Sequence, residues 1–340
     1  MWFDLPEEYA PELAHVGSPW LLALLPLASR LNEPVTIEAP VDGQLLANAN
    51  GLMSVWGEWF PETASIPVQA GRDLTALDSK GGQRRTCLCF TGGVDSLYTL
   101  LHYDTAADNR RIDDLLYIGG YDIPLDHSTA MAAKLRTLRK VASECGRNFI
   151  IAHSNLRSTC VRKVPWGPMM HGPALAAASL MLEPRFSSVL LSSSFGPHAQ
   201  RPWGTHPRVD PLLSTSGTQF VHYGAEQDRF GKIAFLAQHD IALRHLHVCW
   251  ENGNETNCGR CEKCFRTMLS LEMLGVLEKA ITFPKGAFCL ERMDEICAEP
   301  EIVIGVYPTL RQHALELGRK DIAAALDRCV ERNQRLVVKP

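Results

Sequence analysis

Two short stretches of this chain have the residue types and the spacing that chemistry requires. Residues 91–96, Thr-Gly-Gly-Val-Asp-Ser, join a double glycine to an acid and a hydroxyl. Because glycine leaves no Cβ between the backbone and a ligand, several N–H groups there can converge on an anion at a helix N-terminus. Residues 249–264 place four cysteines within sixteen positions. The first stretch predicts a phosphate-type anion site, and the second predicts a metal site.

A strand and a helix must position the glycine loop. Residues 87–90 are apolar, as in a buried central strand, and residues 97–101 begin the apolar face of a helix expected from Asp95 to about Thr105. The loop is not a Walker loop, because no Lys-Ser or Lys-Thr follows the glycines. It also lacks the third glycine of the dinucleotide fingerprint. A chance glycine turn between strand and helix is the alternative.

The pattern after residue 86 alternates between strand and helix, which predicts an α/β fold with a parallel five-stranded sheet and helices on both faces. Ligands gather beyond the carboxyl ends of such strands. Four loops should therefore lie together. The strands are expected at 87–90, 115–119, 149–153, 189–192 and 219–222, and the loops at 91–96, 119–126, 154–171 and 193–216.

The second and third of these loops hold candidate ligand contacts. Gly120 would let the backbone approach an adenine, and Asp122 or Asp126 would lie near a ribose or a metal, although a turn with a helix cap at Asp126 is the simpler interpretation. Arg157 could reach a phosphate, but an exposed arginine in a loop usually only solvates the surface. His171 opens a helix and could donate to an anion.

The fourth loop is long and rich in proline and glycine, and a stretch of this length without regular structure is usually functional. It carries His198, His206, Arg208 and Asp210. No two of these residues have the spacing of metal ligands, so no metal is expected there.

The cysteine spacing suits tetrahedral Zn²⁺ bound by Cys249, Cys258, Cys261 and Cys264, at the start of a helix from about Glu262 to Leu277. An iron–sulfur cluster is the competing interpretation, because cysteines spaced by two residues also occur in ferredoxin-type sites. The run Asn257-Cys258-Gly259 favours zinc.

The glycine loop resembles the Ser-Gly-Gly-x-Asp-Ser loop of the PP-loop ATP pyrophosphatases, with Thr91 in place of the first serine. The resemblance implies Mg²⁺ and ATP as cofactors, with catalytic roles for Asp95 and Ser96. Ser96 would add a hydroxyl donor, and Asp95 would bind Mg²⁺ or order the loop. The residues that would hold the β- and γ-phosphates are Phe90, Thr91, Gly92, Gly93, Val94, Asp95 and Ser96.

The order of the two motifs, Cys-x8-Cys-Gly-x-Cys-x-x-Cys-x-Arg after the glycine loop, is similar to that of the 7-cyano-7-deazaguanine synthase (QueC) family. Lys232, before the cysteines, resembles a lysine of that family. The similarity covers roughly residues 86–275 and implies a PP-loop (HUP-type) sheet. Family members convert 7-carboxy-7-deazaguanine, ATP and ammonia into the nitrile through an adenylated carboxylate.

Two segments depart from the family pattern. Val164-Pro165 is followed by Trp166-Gly167 where the family has Val-Pro-x-Arg-Asn, and residues 206–210 replace a Tyr-Pro-Asp-Cys segment. Those family segments touch the substrate. The resemblance therefore implies shared core chemistry but leaves the acceptor open, between a 7-deazaguanine-like and another heterocycle.

The bulk properties exclude several classes of protein. The chain has 340 residues, 46% of them hydrophobic, and a net charge of −4, which argues against a nucleic-acid-coating protein. An apolar run at residues 20–28 is too short to span a bilayer, and no basic segment precedes it as in a signal peptide. We therefore expect a cytoplasmic protein without membrane contact. The crowding of four of its eleven cysteines into sixteen residues favours a metal over disulfides.

The expected organisation has four parts. Residues 1–80 form a small N-terminal α+β cap, with a helix at 21–31 and a strand at 34–39, and residues 71–85 form a linker. An ATP-binding domain spans 86–245, and the cysteine motif with its helix spans 246–280. Residues 281–340 form a helical appendage, with a helical pattern from Leu310 to Val330.

The predicted function is adenylation of a small acceptor, such as a carboxylate on a heterocycle, followed by transfer of nitrogen from ammonia or from the amine of a protein partner. A sulfurtransferase is one alternative, and it would need a reactive cysteine, for which Cys160 is the candidate. A nucleotide-binding subunit without turnover is another. A homo-oligomer is expected.

Overall fold

The computed structural model describes residues 1–71, 73–74, 84–105, 111–249, 255–298 and 300–337. The N-terminal helices have clear boundaries: Asn32 ends the first in a left-handed conformation, with φ 54°, and the Asp42 side chain caps the second by accepting from the Leu45 amide at 3.1 Å. The elements of this region are β1 (Phe3–Asp4), α1 (Ser18–Leu31), β2 (Val35–Ile37), β3 (Val41–Asp42), α2 (Gly43–Trp59), β4 (Val68–Ala70) and β5 (Asp73–Leu74).

Strands and helices then alternate, as the sequence pattern predicts. Each predicted strand is present, and its ends lie within three residues of the expected ones. The elements are β6 (Arg85–Cys89), α3 (Val94–Tyr103), β7 (Asp114–Gly119), α4 (Ser128–Glu144), β8 (Asn148–Ser154), α5 (His171–Leu180), β9 (Phe186–Ser192) and β10 (Gln219–Tyr223).

The main sheet has six strands, in the order β1-β8-β7-β6-β9-β10. The five predicted strands are mutually parallel, and β1 adds a short antiparallel edge, with Phe3 opposite Ser154. The strand order runs outward from β6 in both directions. A crevice is therefore expected between the carboxyl ends of β6 and β9, where the chain reverses its direction of travel across the sheet.

Alternation along the strands sends side chains to two cores. Cys87 and Cys89 of β6 pack into the core that includes α1, α2 and α5, whereas Leu88 and Phe90 pack into the core that includes α3, α4 and the C-terminal helices. The α/β class and the helices on both faces are thus confirmed. The N-terminal region shares the first of these cores with the sheet.

The remaining helices follow the sheet. The helical pattern predicted from Leu310 to Val330 is interrupted at Gly318, whose φ is 73°. The predicted linker at 71–85 lies mostly outside the described residues. No helix among the described residues is long and apolar enough to cross a membrane. The helices are α6 (Arg229–Leu236), α7 (Asp240–His245), α8 (Glu262–Met273), α9 (Pro300–Gly305), α10 (Tyr307–Glu316) and α11 (Lys320–Val337).

Candidate active site and metal site

A cavity of about 640 Å³ lies at the carboxyl end of the parallel strands. It is lined by the ends of β6, β7 and β9, by the start of α6, and by residues of α8, α9 and α10. Four loops predicted to lie together all contribute to its walls. The predicted site residues that line it are Phe90, Thr91, Asp95, Ser96, Asp122 and Arg157.

The glycine loop turns sharply from β6 into α3. Gly92 has a φ of 68°, which favours glycine, and a Cβ at that position would lie 2.7 Å from a methyl carbon of Leu138. Gly93 immediately precedes α3, and Ser96, in the first turn, accepts a hydrogen bond from the Thr91 amide at 3.3 Å. The Ser96 hydroxyl therefore closes the loop on itself and lies at the N-terminus of α3, where an anion is stabilised.

Asp95 is bound by two cations from α6. Its Oδ2 accepts from Arg229 at 2.8 Å, and its Oδ1 lies 3.2 Å from the Lys232 ammonium. Lys232 is 1% exposed and also donates to the Ser193 carbonyl at 2.5 Å, which links the ends of β6 and β9. Burial alone would raise the pKa of Asp95, but Arg229 and Lys232 outweigh it and hold this pKa below its ordinary value.

Helix α8 brings two further cations to the same place. Lys263 and Arg266, one turn apart, both line the cavity. Burial, with the positive charges of Arg229 and Arg266, lowers the pKa of Lys263 to about 8. The Arg266 Nε lies 3.2 Å from Glu262, which compensates part of its charge.

The cavity lining has more positive than negative charge. Its described residues include five arginine or lysine side chains and three aspartates. Like charges held together away from bulk water repel one another strongly, so an anionic ligand is the natural complement of this surface. The charged residues are Arg157, Arg201, Arg229, Lys263 and Arg266, against Asp95, Asp122 and Asp228.

Aromatic rings stack with two of these arginines. The Arg157 guanidinium lies 4.7 Å from the ring centre of Trp166, which in turn packs edge-on to Tyr121 at 5.0 Å. On another part of the lining, Arg201 lies 4.2 Å from the Phe195 ring centre and 5.8 Å from that of Trp203. Such walls favour a ligand with a flat, aromatic part.

Two loops of the cavity contact each other through glycine backbones. Gly204 donates to the Gly167 carbonyl at 2.8 Å, and a Cβ added to Gly172 would lie 1.8 Å from the Gly204 carbonyl oxygen. No side chain fits at Gly172. The loop before α5, the first turn of α5 and the loop after β9 are therefore held together as one wall of the cavity.

The four predicted cysteines converge. Their Sγ atoms all lie within 4.8 Å of one another, with 4.0 Å between Cys249 and Cys261 and 3.7 Å between Cys258 and Cys264. Tetrahedral Zn–S bonds of about 2.3 Å require sulfur–sulfur separations of about 3.8 Å. The cluster can therefore hold a metal ion such as zinc.

Hydrogen bonds around the cysteines fix their geometry. The amides of Arg260 and Cys261 donate to the Cys258 sulfur at 3.3 and 3.2 Å. The Asn257 side chain accepts from the Cys249 amide at 3.1 Å and donates to the Leu246 carbonyl at 2.9 Å. Such contacts orient metal ligands and stabilise thiolates. Asn257, which favoured zinc in the sequence, thus ties the two ends of the cysteine loop together.

Other predicted residues lie away from the cavity lining. Gly120 forms a turn. No side chain fits at this position, because a Cβ would lie 2.1 Å from the Ser154 carbonyl oxygen. Cys160 is exposed on a short helical turn. Lys232 does not line the cavity and instead contacts Asp95, which does. His171, by contrast, lines the cavity, and burial lowers its pKa.

The long loop after β9 forms a buried polar cluster. Asp210 is fully buried, accepts from the His206 amide at 3.0 Å, and lies 2.6 Å from His222. Burial, together with His222 and Arg208, lowers the pKa of His206 to about 4. These contacts hold the loop against β10.

Several cavity residues were not predicted. Arg229 precedes Lys232 by one helical turn, and this spacing is a readable signal. Lys263 and Arg266 lie beside the cysteines, where the thiols dominate the pattern. The contribution of α9 and α10 has no signal in the sequence, because it depends on how the C-terminal region packs.

Comparisons with models of protein families, with curated proteins and with solved structures found no match to this chain.

Proposed function

We propose that the protein is an ATP pyrophosphatase that adenylates a small acceptor and transfers nitrogen to it, with chemistry like that of the QueC family. The observation that supports this proposal most is the surplus of cations around Asp95 and the glycine loop, at the end of the sheet where ligands bind. A nucleoside triphosphate is an anion of suitable size and charge for such a surface. The resemblance of the loop to the PP-loop motif supports the same ligand.

In the proposed reaction an acceptor carboxylate oxygen attacks the α-phosphorus of ATP, and pyrophosphate leaves with the bond electrons. The N–H groups at the start of α3 and the side chains of Ser96, Arg229 and Lys263 would stabilise the charge on the departing pyrophosphate. Asp95 would hold Mg²⁺, which would neutralise phosphate charge when bound. Arg229 and Lys232 keep the Asp95 carboxylate ionised, as metal binding requires.

A nitrogen nucleophile would then attack the acyl carbon of the mixed anhydride, and AMP would leave. The nitrogen must lose a proton in this step. His171 lines the cavity, and its lowered pKa keeps the imidazole neutral, so it is the candidate proton acceptor. Ammonia and the amine of a protein partner remain the two candidate nucleophiles.

Sulfur transfer is supported less well. Among the described residues that line the cavity, Cys89 is the only cysteine, and burial raises its pKa well above the ordinary value. Cys160, the candidate from the sequence, is exposed and does not line the cavity. A persulfide carrier needs an ionisable thiol that reaches the acyl carbon. Nitrogen transfer is therefore the better proposal.

Product analysis tests the proposed function directly. ATP labelled at the α-phosphate, Mg²⁺, ammonium and a panel of heteroaromatic carboxylates should give labelled AMP and pyrophosphate. Asp95→Ala and Ser96→Ala should each reduce the rate roughly ten- to a thousandfold. Asp321→Ala, which changes an exposed carboxylate paired with Arg319, is the matched control. Formation of ADP, or unchanged rates in both loop variants, would refute the proposal.

A catalytically inactive nucleotide-binding subunit remains the alternative from another class. It would bind ATP with a dissociation constant that Ser96→Ala weakens, yet it would form no AMP with any acceptor or partner.

A further inference from the structure

Helices α9 and α10 supply a wall of the cavity that the predicted ATP-binding domain does not contain. Ile302, Val306 and Leu310 point to the cavity, with Gly305 and Thr309 between them. Ile304, on the same stretch, is 73% exposed. The C-terminal region predicted as an appendage therefore contributes apolar side chains to the cavity and leaves Ile304 exposed to solvent.

This wall is attached to the helices that carry the cations. His313 of α10 lies 2.7 Å from the Asp228 carboxylate and stacks on the Phe230 ring at 4.4 Å. Asp228 caps α6 through its other oxygen, which accepts from the Gly231 amide at 2.7 Å. The start of α6, and with it Arg229, is thus fixed against α10.

A second connection runs from α10 to α8. Tyr307 is 1% exposed, and its hydroxyl donates to Glu262 at 3.3 Å. Glu262 in turn pairs with Arg266. The C-terminal wall is therefore built around the cation cluster rather than placed loosely beside it.

The apolar wall meets a stacked arginine. A Cβ added to Gly305 would lie 3.8 Å from the Arg201 guanidinium, in ordinary contact, and Arg201 stacks on Phe195. An apolar surface next to a planar cation and aromatic rings suits a flat, apolar molecule that bears an anionic group.

We propose that α9 and α10 form the acceptor-binding wall of the cavity, where Val306 and its neighbours set the size of a planar aromatic carboxylate. This inference rests on the proposed function, because only the proposed reaction has an acceptor as its second reactant. That function places the pyrophosphate at the glycine loop and the start of α3, and the apolar wall from α9 and α10 is a separate part of the lining that can receive the second reactant. Ile302, Val306 and Leu310 are specificity-determining residues.

The test measures binding of quinoline-2-carboxylate and indole-2-carboxylate by quenching of tryptophan fluorescence, since Trp166 and Trp203 line the cavity. Binding of ATP is measured in parallel by calorimetry. Val306→Trp should weaken binding of the better carboxylate roughly tenfold or more, the scale for adding bulk to an apolar pocket, and leave ATP affinity within about twofold. Ile304→Trp, which adds the same bulk at an exposed neighbour, should change neither.

A third variant tests the sign of the effect. Val306→Ala should restore or improve binding of the larger ring system relative to the smaller one, and its melting temperature verifies folding. Loss of ATP affinity equal to the loss of carboxylate affinity in Val306→Trp would overturn the assignment, as would a wild-type protein that binds neither carboxylate. Carboxylate binding without AMP formation would refute the proposed function and leave this inference standing. AMP formation with other acceptors, together with unaltered kinetics in Val306→Trp, would refute this inference and leave the proposed function standing.

Discussion

The two ends of the main sheet handle buried charge differently. At the amino end of the parallel strands, Asp114 is fully buried and is bound by Arg85 at 2.6 Å, Arg185 at 2.9 Å and Asn148 at 2.7 Å. Arg185 also holds Glu12 at 2.8 Å. Two guanidinium groups thus meet two carboxylates.

At the carboxyl end, positively charged side chains outnumber negatively charged ones in the cavity lining. Arg229, Lys232, Lys263 and Arg266 lie together there, with Asp95 bound by Arg229 and Lys232 and with Glu262 next to Arg266. A cluster that serves only stability is expected to compensate its own charges, because an unpaired buried charge costs several kcal/mol. Cations outnumber acids in the cavity lining, and the proposed anionic ligand would complement that excess. This contrast distinguishes the charge-compensated amino end of the sheet from the carboxyl end, where ligand binding is proposed.

The largest expected effect is removal of the metal next to the cation surplus. Cys261→Ser should eliminate zinc binding, which contributes on the order of 10 kcal/mol in structural sites. Because Lys263 and Arg266 lie on either side of Cys264 in α8, the variant should also lose affinity for pyrophosphate. Metal analysis should give about one zinc per wild-type chain. Iron with labile sulfide in the wild type would instead support the iron–sulfur interpretation.

A change at the amino end of the parallel strands should lower stability without changing ligand affinity. Asp114→Asn leaves Arg185 and Arg85 without their buried partner, so the free energy of unfolding should fall by about 3–5 kcal/mol in urea titrations. Pyrophosphate affinity of the folded variant should not change. Arg319→Gln removes an exposed pair with Asp321 and should cost less than about 1 kcal/mol. A similar cost for both variants would contradict the role assigned to Asp114.

Acid should destabilise the protein through His206, in the loop after β9. His206 has a folded-state pKa of about 4, below the unfolded value of about 6.5. Between these values the unfolded chain takes up a proton that the folded chain refuses, so stability is lost as pH falls from 6.5 to 4. His206→Gln should remove about 2 kcal/mol of the loss between pH 7 and 4.5, measured by urea unfolding. Parallel pH profiles for variant and wild type would refute this.

The smallest effect concerns the surplus itself. Lys263→Gln should weaken pyrophosphate binding about tenfold, or about 1.4 kcal/mol, without lowering the stability of the ligand-free protein. The change removes a positive charge that Arg229 and Arg266 repel, so the free energy of unfolding of the ligand-free protein can even rise. Lys140→Gln, at an exposed position of α4 paired with Glu255, is the control for calorimetry. A loss of stability with unchanged affinity would show that Lys263 is structural.

Local patterns explain why much of the sheet was predictable. The strand ending at Gly119 and the strand ending at Ser192 are apolar runs bounded by turns, and their order in the chain dictates a parallel sheet. Strand β1 has two residues, too few for any periodicity, and it exists because β8 offers a free edge. The interruption at Gly318 was readable from the glycine, although the apolar pattern continues past it.

The candidate site was predictable where its residues are close in sequence. Residues 91–96 and the four cysteines each form a local pattern, and the structure brings each set together. Whether the glycine loop binds ATP stays a prediction. The wall from α9 and α10 could not be predicted, because the contact between His313 and Asp228 joins residues 85 positions apart. Periodicity records which face of a helix is buried but not what covers it.

The backbone contact between Gly172 and Gly204 limits how reactants can exchange with solvent. Gly172 of α5 and Gly204 of the loop after β9 touch main chain to main chain, so no side-chain rotation at these two positions can open a passage there. Entry and departure are therefore expected past side chains elsewhere, and the neighbourhood of Gly305 and Arg201 has only ordinary contact distances. If departure of product limits turnover, the rate should follow the bulk at position 305 and not the chemistry at the glycine loop.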